Sequence, residues 1–528
     1  MMYKKLIAFL LVMVMVLSCL AGCNNDPVET TGKPDPGPET QPGTEETTPV
    51  VQEPVEFEFY AKTMDPYPLS SPIWDALAEA TNVEVTYTWI DSEAFDTTLA
   101  TRIADKDLPD VISGSGGGEL IRQLKADGLI IPLTDLLEEK MPNFCSYLSE
   151  DDWAFLRESD GEIYKLGYMV DVPGLYCYTI RQDWLEKIGK DVPETWDEWV
   201  EVWTLFKEQD MNGNGDPNDE IPFAFNYGWI YHTMSIFGIN SNSKYSVTDD
   251  GHYVLDPEHP RYNDWLQAMH ELYEKGLISP EYLTMTSKVV AAGMAGDLVG
   301  SAVVQVAAGI AANEALAEVN PDAFFVNVAP IEGPDGHQGI LRRPKLTLNT
   351  YITKTAVDEG KLDAILGFFD YLYSDEGILL TNYGIEGETY DMVDGKPVFR
   401  AAYGTGYGDA RAYGLIPSVL PFYFSEEVFN SHMFNGETDP SKMDAILQNA
   451  YAAMTDLYTE YYYTWPPQFT TEAQSEYADL LTAHLALRDQ YIMGQISWDD
   501  YQTGYQDLKD QGLTEILEAV DAEYQKVK

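Results

Sequence analysis

The chain has 528 residues, and its 87 acidic residues against 32 Lys and Arg give a formal net charge of −55. Nucleic acids and anionic lipid surfaces bind proteins through clustered Lys and Arg, so this charge argues against both as partners. Hydrophobic residues make up 45% of the chain and aromatic residues 12%, which excludes a largely disordered protein and favours large packed cores.

The first 22 residues have the layout of a secretory signal peptide. Lys4 and Lys5 precede an uncharged apolar run that is too short to span a membrane comfortably. Leu20-Ala21-Gly22-Cys23 looks like a bacterial lipoprotein box, in which Cys23 receives a diacylglyceryl group. The alternative is an ordinary signal peptide with Cys23 incidental. The lipoprotein interpretation predicts a lipid anchor on the extracellular face of the cell membrane.

Residues 23–54 are predicted to form a disordered linker. Seven prolines lie among Gly, Thr and Glu in this stretch, which contains almost nothing that could pack into a core. We therefore expect a lipidated Cys23 to tether a folded body that begins near Val55.

The folded part opens with alternating strands and helices. The pattern predicts a strand at 55–60, a helix at 72–80, a strand at 83–89 and a strand ending near 112. The last strand runs into the glycine-rich turn Ser113–Gly118. This alternation is typical of a parallel α/β sheet.

Helical signals dominate the middle and the end of the chain. Thr195 and Glu198 form a capping box before a tryptophan-rich stripe that we interpret as core. Further helices are predicted from 262 to 275, from about 471 to 493, and after Ser497. The apolar stretch 289–312 is predicted to be a buried strand, turn and helix. Cys145 and Cys177 either form one disulfide or remain free thiols.

The sharpest chemical motif is a candidate calcium loop at 210–220. Oxygen-bearing side chains at positions 1, 3 and 5, followed by glycine at position 6, match the start of such a loop. Position 12 is Ile221, so an EF-hand pair is not expected. The alternative is a turn that binds no ion. The candidate ligands are Asp210, Asn212, Asn214, Asp216, Asn218, Asp219 and Glu220, around a structural Ca²⁺.

Beyond the lipoprotein box and this loop, several short motifs lie along most of the chain. They are 72–74, 82–85, 108–113, 160–164, 180–185, 192–199, 219–222, 273–282 and 383–387. Together they resemble family 1 of the extracellular solute-binding proteins, the large lipoproteins of carbohydrate ABC transporters. The resemblance implies an α/β fold of the type II periplasmic-binding class: two lobes, a hinge, a central ligand cleft and a helix-rich C-terminus. Lobe 1 is expected at 55–178 plus about 340–400, and lobe 2 at 179–339 plus about 401–528.

Compared with the usual loop of this family, the loop at 210–220 is one residue longer, so either Asn218 or Asp219 can be the later side-chain ligand. The resemblance also implies a function. The expected protein is a monomeric, membrane-anchored receptor that captures an oligosaccharide and delivers it to the permease subunits of an ABC importer without chemistry. Alternatives are an extracellular glycan hydrolase, since many carboxylates are present, or a sensor module for a membrane kinase. The candidate ligand contacts are Ser113, Ser115, Trp229, Tyr231, Glu386 and Tyr390. The alternative is that the aromatic residues among them belong to the core and the others to solvated loops.

Overall fold

A computed structural model describes most of the chain beyond the predicted linker. The described residues are 53–63, 67–91, 94–114, 118–158, 160–172, 176–216, 218–342, 345–400, 413–415, 420–434, 437, 439–458, 461–464, 466 and 471–527. The predicted signal peptide, Cys23 and nearly all of the linker lie outside these residues. From Glu53 onward the chain groups as one unit.

The first of two main sheets has six strands and carries the start of the folded chain. In spatial order they are Tyr423–Ser425, Lys165–Asp171, Leu346–Ile352, Val111–Ser113, Val55–Thr63 and Val83–Asp91. Leu346–Ile352 is antiparallel to its neighbours, and the other five strands run in one direction. The carboxyl ends of these five strands therefore share one edge of the sheet.

The second sheet repeats this arrangement with four strands. Their order is Phe325–Val328, Tyr176–Arg181, Val299–Gln305 and Ile221–Phe225. Tyr176–Arg181 is the antiparallel strand here. Smaller two-stranded pairings join Ile340–Arg342 to Tyr462–Thr464, Tyr390–Val393 to Lys396–Phe399, and Tyr245–Val247 to Tyr253–Leu255.

The chain crosses between the two sheets, and each antiparallel strand follows a crossing. The first crossing leads from Asp171 to Tyr176, and the return leads from Val328 through Ile340–Arg342 to Leu346. Ligands of open α/β sheets bind beyond the carboxyl ends of parallel strands. The two such edges meet at these crossings, which confirms the predicted two-lobed fold with a hinge and a central cleft.

Helices cover both sheets and dominate the C-terminus, as predicted. The α-helices before residue 400 are Pro72–Thr81, Phe95–Asp105, Glu119–Ala126, Leu137–Lys140, Pro142–Ser146, Glu150–Leu156, Gln182–Ile188, Trp196–Lys207, Tyr231–Ser235, Tyr262–Glu274, Ser287–Ala295, Val306–Val319, Lys354–Asp358, Leu362–Tyr371 and Asp375–Asn382. Those after it are Glu426–Phe434, Ala445–Ala452, Glu472–Glu476, Ala478–Ile492, Trp498–Leu508 and Thr514–Val527. Short 3₁₀ segments lie at Tyr227–Trp229, Asp256–Glu258, Tyr282–Thr284 and Pro440–Lys442, and π segments at Ala453–Leu457 and Lys509–Leu513.

The structure corrects the expected lobe boundaries in two places. The strand of the second sheet starts at Tyr176, so the boundary at 178/179 cuts through a strand. Tyr423–Ser425 pairs with Lys165–Asp171 in the first sheet, although residues 401–528 were expected in lobe 2. The reason is a strand pairing between residues about 250 positions apart, which no local sequence pattern encodes.

Two helix predictions also need correction. The helix expected from 471 to 493 is split into Glu472–Glu476 and Ala478–Ile492, because the backbone leaves the helical conformation at Tyr477. The stretch 289–312 begins in the helix Ser287–Ala295 and reaches its strand only at Val299–Gln305. Within the described ranges, no helix is long and apolar enough to cross a membrane.

The tryptophan-rich stripe belongs to the core, as the sequence predicted. Trp199, Trp203 and Phe206 on the helix Trp196–Lys207 are buried against the second sheet. Trp203 donates its indole N–H to Ser301 Oγ at 2.8 Å, and its ring stacks on Phe223 with centroids 4.7 Å apart.

Cys145 and Cys177 are both free thiols, so the structure selects one of the two alternatives that the sequence left open. Cys177 is buried in the second sheet, where its thiol lies 3.7 Å from the carbonyl oxygen of Val304. Burial raises the pKa of Cys177 to about 12 and that of Cys145 to about 11.

His484, on the C-terminal helix Ala478–Ile492, gives a first testable expectation. Its ring is buried, and burial followed by the charge of Arg488 lowers its pKa to about 3. The unfolded chain takes up this proton first, near pH 6.5, so the stability that the neutral ring contributes is lost as the pH falls from there towards 3. Between pH 7 and pH 5 we expect His484 alone to cost about 2 kcal/mol of unfolding free energy.

Urea unfolding at both pH values checks this expectation. The stability loss on acidification should be smaller in His484→Gln than in the unaltered protein by about the same amount. An equal loss in both proteins would contradict the assignment.

Candidate functional site

The predicted calcium loop connects the helix Trp196–Lys207 to the strand Ile221–Phe225. Asp210 accepts hydrogen bonds from the backbone N–H of Gly213 at 2.7 Å and of Gly215 at 2.9 Å. The amide oxygen of Asn212 accepts from Asn214 N at 3.0 Å. Gly215 has a φ of +95°, a conformation that glycine adopts without strain. Asp210 and the residues after it therefore form a tight, self-bonded loop.

The later acidic residues of the loop differ in position. Glu220 is buried, and its Oε1 accepts from Met211 N at 2.7 Å, while its Oε2 is buried with no hydrogen-bond partner. Asp219 accepts from the side-chain amides of Asn214 at 2.6 Å and Asn212 at 3.5 Å. A buried carboxylate oxygen without a partner lowers the stability of the folded state. Glu220 Oε2 can therefore take one more partner.

Asn218 lies on the outside of the same loop. Its side-chain amide donates to Asp216 Oδ1 at 3.4 Å, and both residues are exposed. Lys187, on the helix Gln182–Ile188, donates to the carbonyl oxygens of Asp210 and Met211 at 2.7 and 3.0 Å. The loop is thereby fixed to a neighbouring helix on one side.

Amide oxygens supply part of the donor set in this loop. Over the described ranges, no three His, Cys, Asp or Glu side chains come together as a group that could hold a metal ion. The loop instead combines carboxylates with the amides of Asn212 and Asn214, and calcium accepts both kinds of oxygen.

A cavity of about 460 Å³ lies at the carboxyl-end edge of the first sheet. Its described lining residues are Asp171, Arg342, Tyr423, Ser425, Glu426 and Glu427. Asp171 and Ser425 end two parallel strands, and Arg342 lies on the return crossing. The cavity therefore lies in the cleft that the fold predicts for a ligand.

Asp171 contacts several polar groups in and beside this cavity. It lies 3.3 Å from Arg342 Nη2 and 3.8 Å from Lys345 Nζ, and it accepts a hydrogen bond from Tyr423 Oη at 3.3 Å. Burial, and then the charge of Asp171, raise the pKa of Tyr423, so its hydroxyl stays protonated. The Tyr147 ring stacks on Tyr423 with centroids 4.2 Å apart. Together they provide an aromatic surface beside hydrogen-bonding groups.

Trp229 lies at the facing edge of the second sheet. Its half-buried ring packs edge-on against Tyr176, with centroids 5.1 Å apart. Tyr176 is the first residue of the strand that follows the crossing from Asp171. Of the six candidate contacts predicted from the sequence, Trp229 is thus the one that packs on the residue ending the first crossing, although it is not among the described residues that line the cavity.

The other candidate contacts are placed less favourably. Tyr231 is only 2% exposed, so its ring has no free face. Ser113 is fully buried and bonded to Thr350 Oγ1 at 2.8 Å. Gly114, at φ +84°, allows the close approach to Lys62 that a Cβ would obstruct. Ser115 lies outside the described residues.

Glu386 and Tyr390 lie at the base of the hairpin Tyr390–Val393/Lys396–Phe399. Glu386 is exposed, while Tyr390 is buried with its ring 5.9 Å from that of Tyr383. Neither is among the described residues that line the cavity. No sequence pattern singled out Asp171, although it is the last residue of a strand. No sequence pattern indicated Tyr423 either.

The sequence pattern of the family "Bacterial extracellular solute-binding protein" matches residues 60–378 of the chain. The protein belongs to this family. Lipoprotein LipO of Bacillus subtilis (strain 168) is 27% identical to this solute-binding protein over 490 residues, covering 87% of this chain and 89% of LipO. The fructooligosaccharide ABC transporter substrate-binding protein FusA of Streptococcus pneumoniae serotype 4 is 31% identical over 225 residues, 40% of this chain and 41% of FusA.

Solved structures agree on the fold of this solute-binding protein. The alginate-binding protein AlgQ2, solved without calcium ion, superposes with a TM-score of 0.72 at 22% identity, covering 91% of this chain and all of AlgQ2. An EF-hand mutant of FusA in complex with fructo-nystose superposes with a TM-score of 0.68 at 20% identity, covering 89% of this chain and 99% of that one.

Proposed function

We propose that the protein is the extracellular receptor of an ABC importer, which captures an oligosaccharide and passes it to the permease subunits unchanged. The cavity carries this proposal: Tyr423, stacked on Tyr147, offers an aromatic ring, and Asp171 and Arg342 offer hydrogen bonds to hydroxyl groups. The half-buried Trp229, which packs on Tyr176 at the end of the first crossing, offers a second ring. FusA is a fructooligosaccharide-binding protein and AlgQ2 an alginate-binding protein, which supports a saccharide as the ligand class.

A glycan panel tests this function against the hydrolase alternative. We expect kestose, nystose, maltotriose or trigalacturonate to raise the melting temperature and to be recovered intact after incubation. Shortened products would show the enzyme instead, and no binding across neutral and acidic glycans would contradict the receptor. The relatives named above are binding proteins or lipoproteins rather than enzymes.

For any glycan of the panel that binds, Trp229→Ala should weaken the affinity by about tenfold to a hundredfold. The reason is that an aromatic ring packed on a sugar contributes about 1–3 kcal/mol to the binding free energy. Titration calorimetry measures the change. Trp498→Ala is the matched control, since Trp498 is also half-buried but stacks on Tyr501 in the C-terminal helices. Equal losses in the two variants would contradict a role for Trp229.

We also propose that the loop at 210–220 holds a structural calcium ion. The unpartnered Glu220 Oε2 supports this, with Asp210, Asn212, Asn214 and Asp219 as the other side-chain ligands. Asp219 is favoured over Asn218 because it accepts from the side-chain amides of both Asn212 and Asn214, the two other amide candidates. A bound calcium ion would attract these oxygens through its positive charge and so stabilise the folded loop.

The anchor is the remaining part of the proposal. The N-terminal lipoprotein box and the lipoprotein relative LipO support a Cys23-linked lipid that holds a monomeric receptor at the outer face of the membrane. Cys23→Ala should move the protein from the membrane fraction to the medium, as immunoblotting of the two fractions measures. A variant that stays with the membrane would contradict the anchor.

A further inference from the structure

A buried ion pair lies on the C-terminal helix Ala478–Ile492, beyond the residues 60–378 that match the family pattern. Arg488 and Asp489 are 3% and 6% exposed, and Arg488 Nε donates to Asp489 Oδ1 at 2.9 Å. Burying two charges is costly, and well-packed hydrophobic replacements are often as stable. Stability alone therefore gives little reason for this pair.

The pair is bonded to a turn more than 250 residues earlier in the chain. Tyr227 Oη donates to Asp489 Oδ2 at 2.5 Å and accepts from Arg488 Nη2 at 2.9 Å. Tyr282 Oη donates to the other carboxylate oxygen of Asp489 at 3.2 Å. Burial raises the pKa of Tyr227 to about 12, so the hydroxyl keeps the proton that it donates. Both sides of the Tyr227 hydroxyl are thus fixed by charged groups.

Tyr227 begins the 3₁₀ turn that ends at Trp229. Two hydrogen bonds support the turn: Tyr227 N donates to Met285 O at 2.8 Å, and the Asn226 side chain accepts from Gly228 N at 2.9 Å. Trp229 is only two residues from Tyr227 in this short turn, and its ring packs against Tyr176 at the end of the first crossing.

We infer that Asp489 and Arg488 are positioning residues for the ligand site: through Tyr227 they hold the Trp229 ring at the cleft. The C-terminal helix is then a component of saccharide recognition rather than only a cover for the second lobe. The inference rests on the proposed function for its ligand, but the placement of Trp229 can be tested without one.

The test uses the purified protein labelled with 5-fluorotryptophan and observed by ¹⁹F NMR. The Trp229 resonance is identified by its loss in Trp229→Phe. We expect this resonance to shift or split in Asp489→Asn and in Tyr227→Phe, because each removes a hydrogen bond or charge that fixes the turn. Tyr227→Phe keeps the ring and loses only the hydroxyl, so it remains informative if Asp489→Asn does not fold.

Asp297→Asn is the matched control. Asp297 is also a buried carboxylate bonded to a buried arginine, Arg181. Arg181 is the last residue of the strand Tyr176–Arg181, so this pair lies at the opposite end of that strand from the crossing. We expect it to lower the melting temperature to a similar extent and to leave the Trp229 resonance in place. An unmoved resonance in both test variants, or an equal shift in the control, would overturn the inference.

A second readout is the affinity for kestose, nystose, maltotriose and trigalacturonate. For any of these that binds, Asp489→Asn and Tyr227→Phe should weaken binding by about tenfold, and this loss should vanish in a Trp229→Ala background, where nothing is left to position. A loss that persists in that background would overturn the inference. If the unaltered protein binds none of the four, the proposed function fails, and the ¹⁹F spectra still decide the placement.

Discussion

Removing calcium with a chelator should lower the free energy of unfolding by about 4 kcal/mol, relative to free calcium at a thousandfold above its dissociation constant. The physical reason is that an ion bound only by the folded loop stabilises the folded state by mass action. The carboxylates of Asp210, Asp219 and Glu220, which belong to the same loop, would also lose their neutralising partner. Differential scanning calorimetry with and without chelator measures the effect.

Glu220→Gln should remove most of this calcium-dependent stabilisation, since it replaces the buried carboxylate that has an unpartnered oxygen. Glu208→Gln is the matched control, because Glu208 is exposed and precedes the loop by two residues. The same calcium response in Glu220→Gln and in the unaltered protein would contradict the ligand set. No calcium response in the unaltered protein would contradict the site.

Trp203→Ala should cost about 3–5 kcal/mol of unfolding free energy, the range for removing a large buried aromatic side chain. The indole is fully buried, stacks on Phe223 and donates to Ser301, which itself donates to the carbonyl oxygen of Pro222 at 2.8 Å. The substitution therefore leaves a cavity between the helix Trp196–Lys207 and the second sheet. Denaturant unfolding measures the loss.

Trp203→Phe should cost much less, because a ring still fills the space and Ser301 keeps its bond to Pro222. Its glycan affinity should match that of the unaltered protein, since the residue lies in the core and not in the cleft. A loss of binding without a loss of stability would show that the tryptophan stripe contacts ligand after all.

Local sequence patterns predicted the elements near the start of the fold well. The strands at 55 and 83 and the helix at 72 begin at the expected residues, because a proline at the first helical position and alternating apolar residues act over a few positions. The capping box predicted at Thr195 is present for the same reason, and the helix expected after Ser497 begins at Trp498. Such signals depend only on neighbouring residues, so they survive in the folded chain.

Long-range pairing accounts for what the sequence could not predict. Tyr423–Ser425 returns to the first sheet, and Tyr423 meets Asp171 only because of that pairing. The cluster of Tyr227, Arg488 and Asp489 likewise joins segments more than 250 residues apart. Aromatic residues alone also gave a weak signal for the cleft, because Tyr231 and Tyr390 are buried while Trp229 keeps a partly open ring.

The two free thiols have a practical consequence for following the receptor at work. Alkylating dyes react with thiolates, and burial holds the pKa of Cys177 at about 12 and that of Cys145 at about 11, so both react slowly near neutral pH. A cysteine introduced at the exposed Glu427, on the rim of the cavity, would react far faster than either. One environment-sensitive fluorophore can therefore be attached there without removing the native cysteines, which makes this solute-binding protein a scaffold for an optical sensor of its ligand.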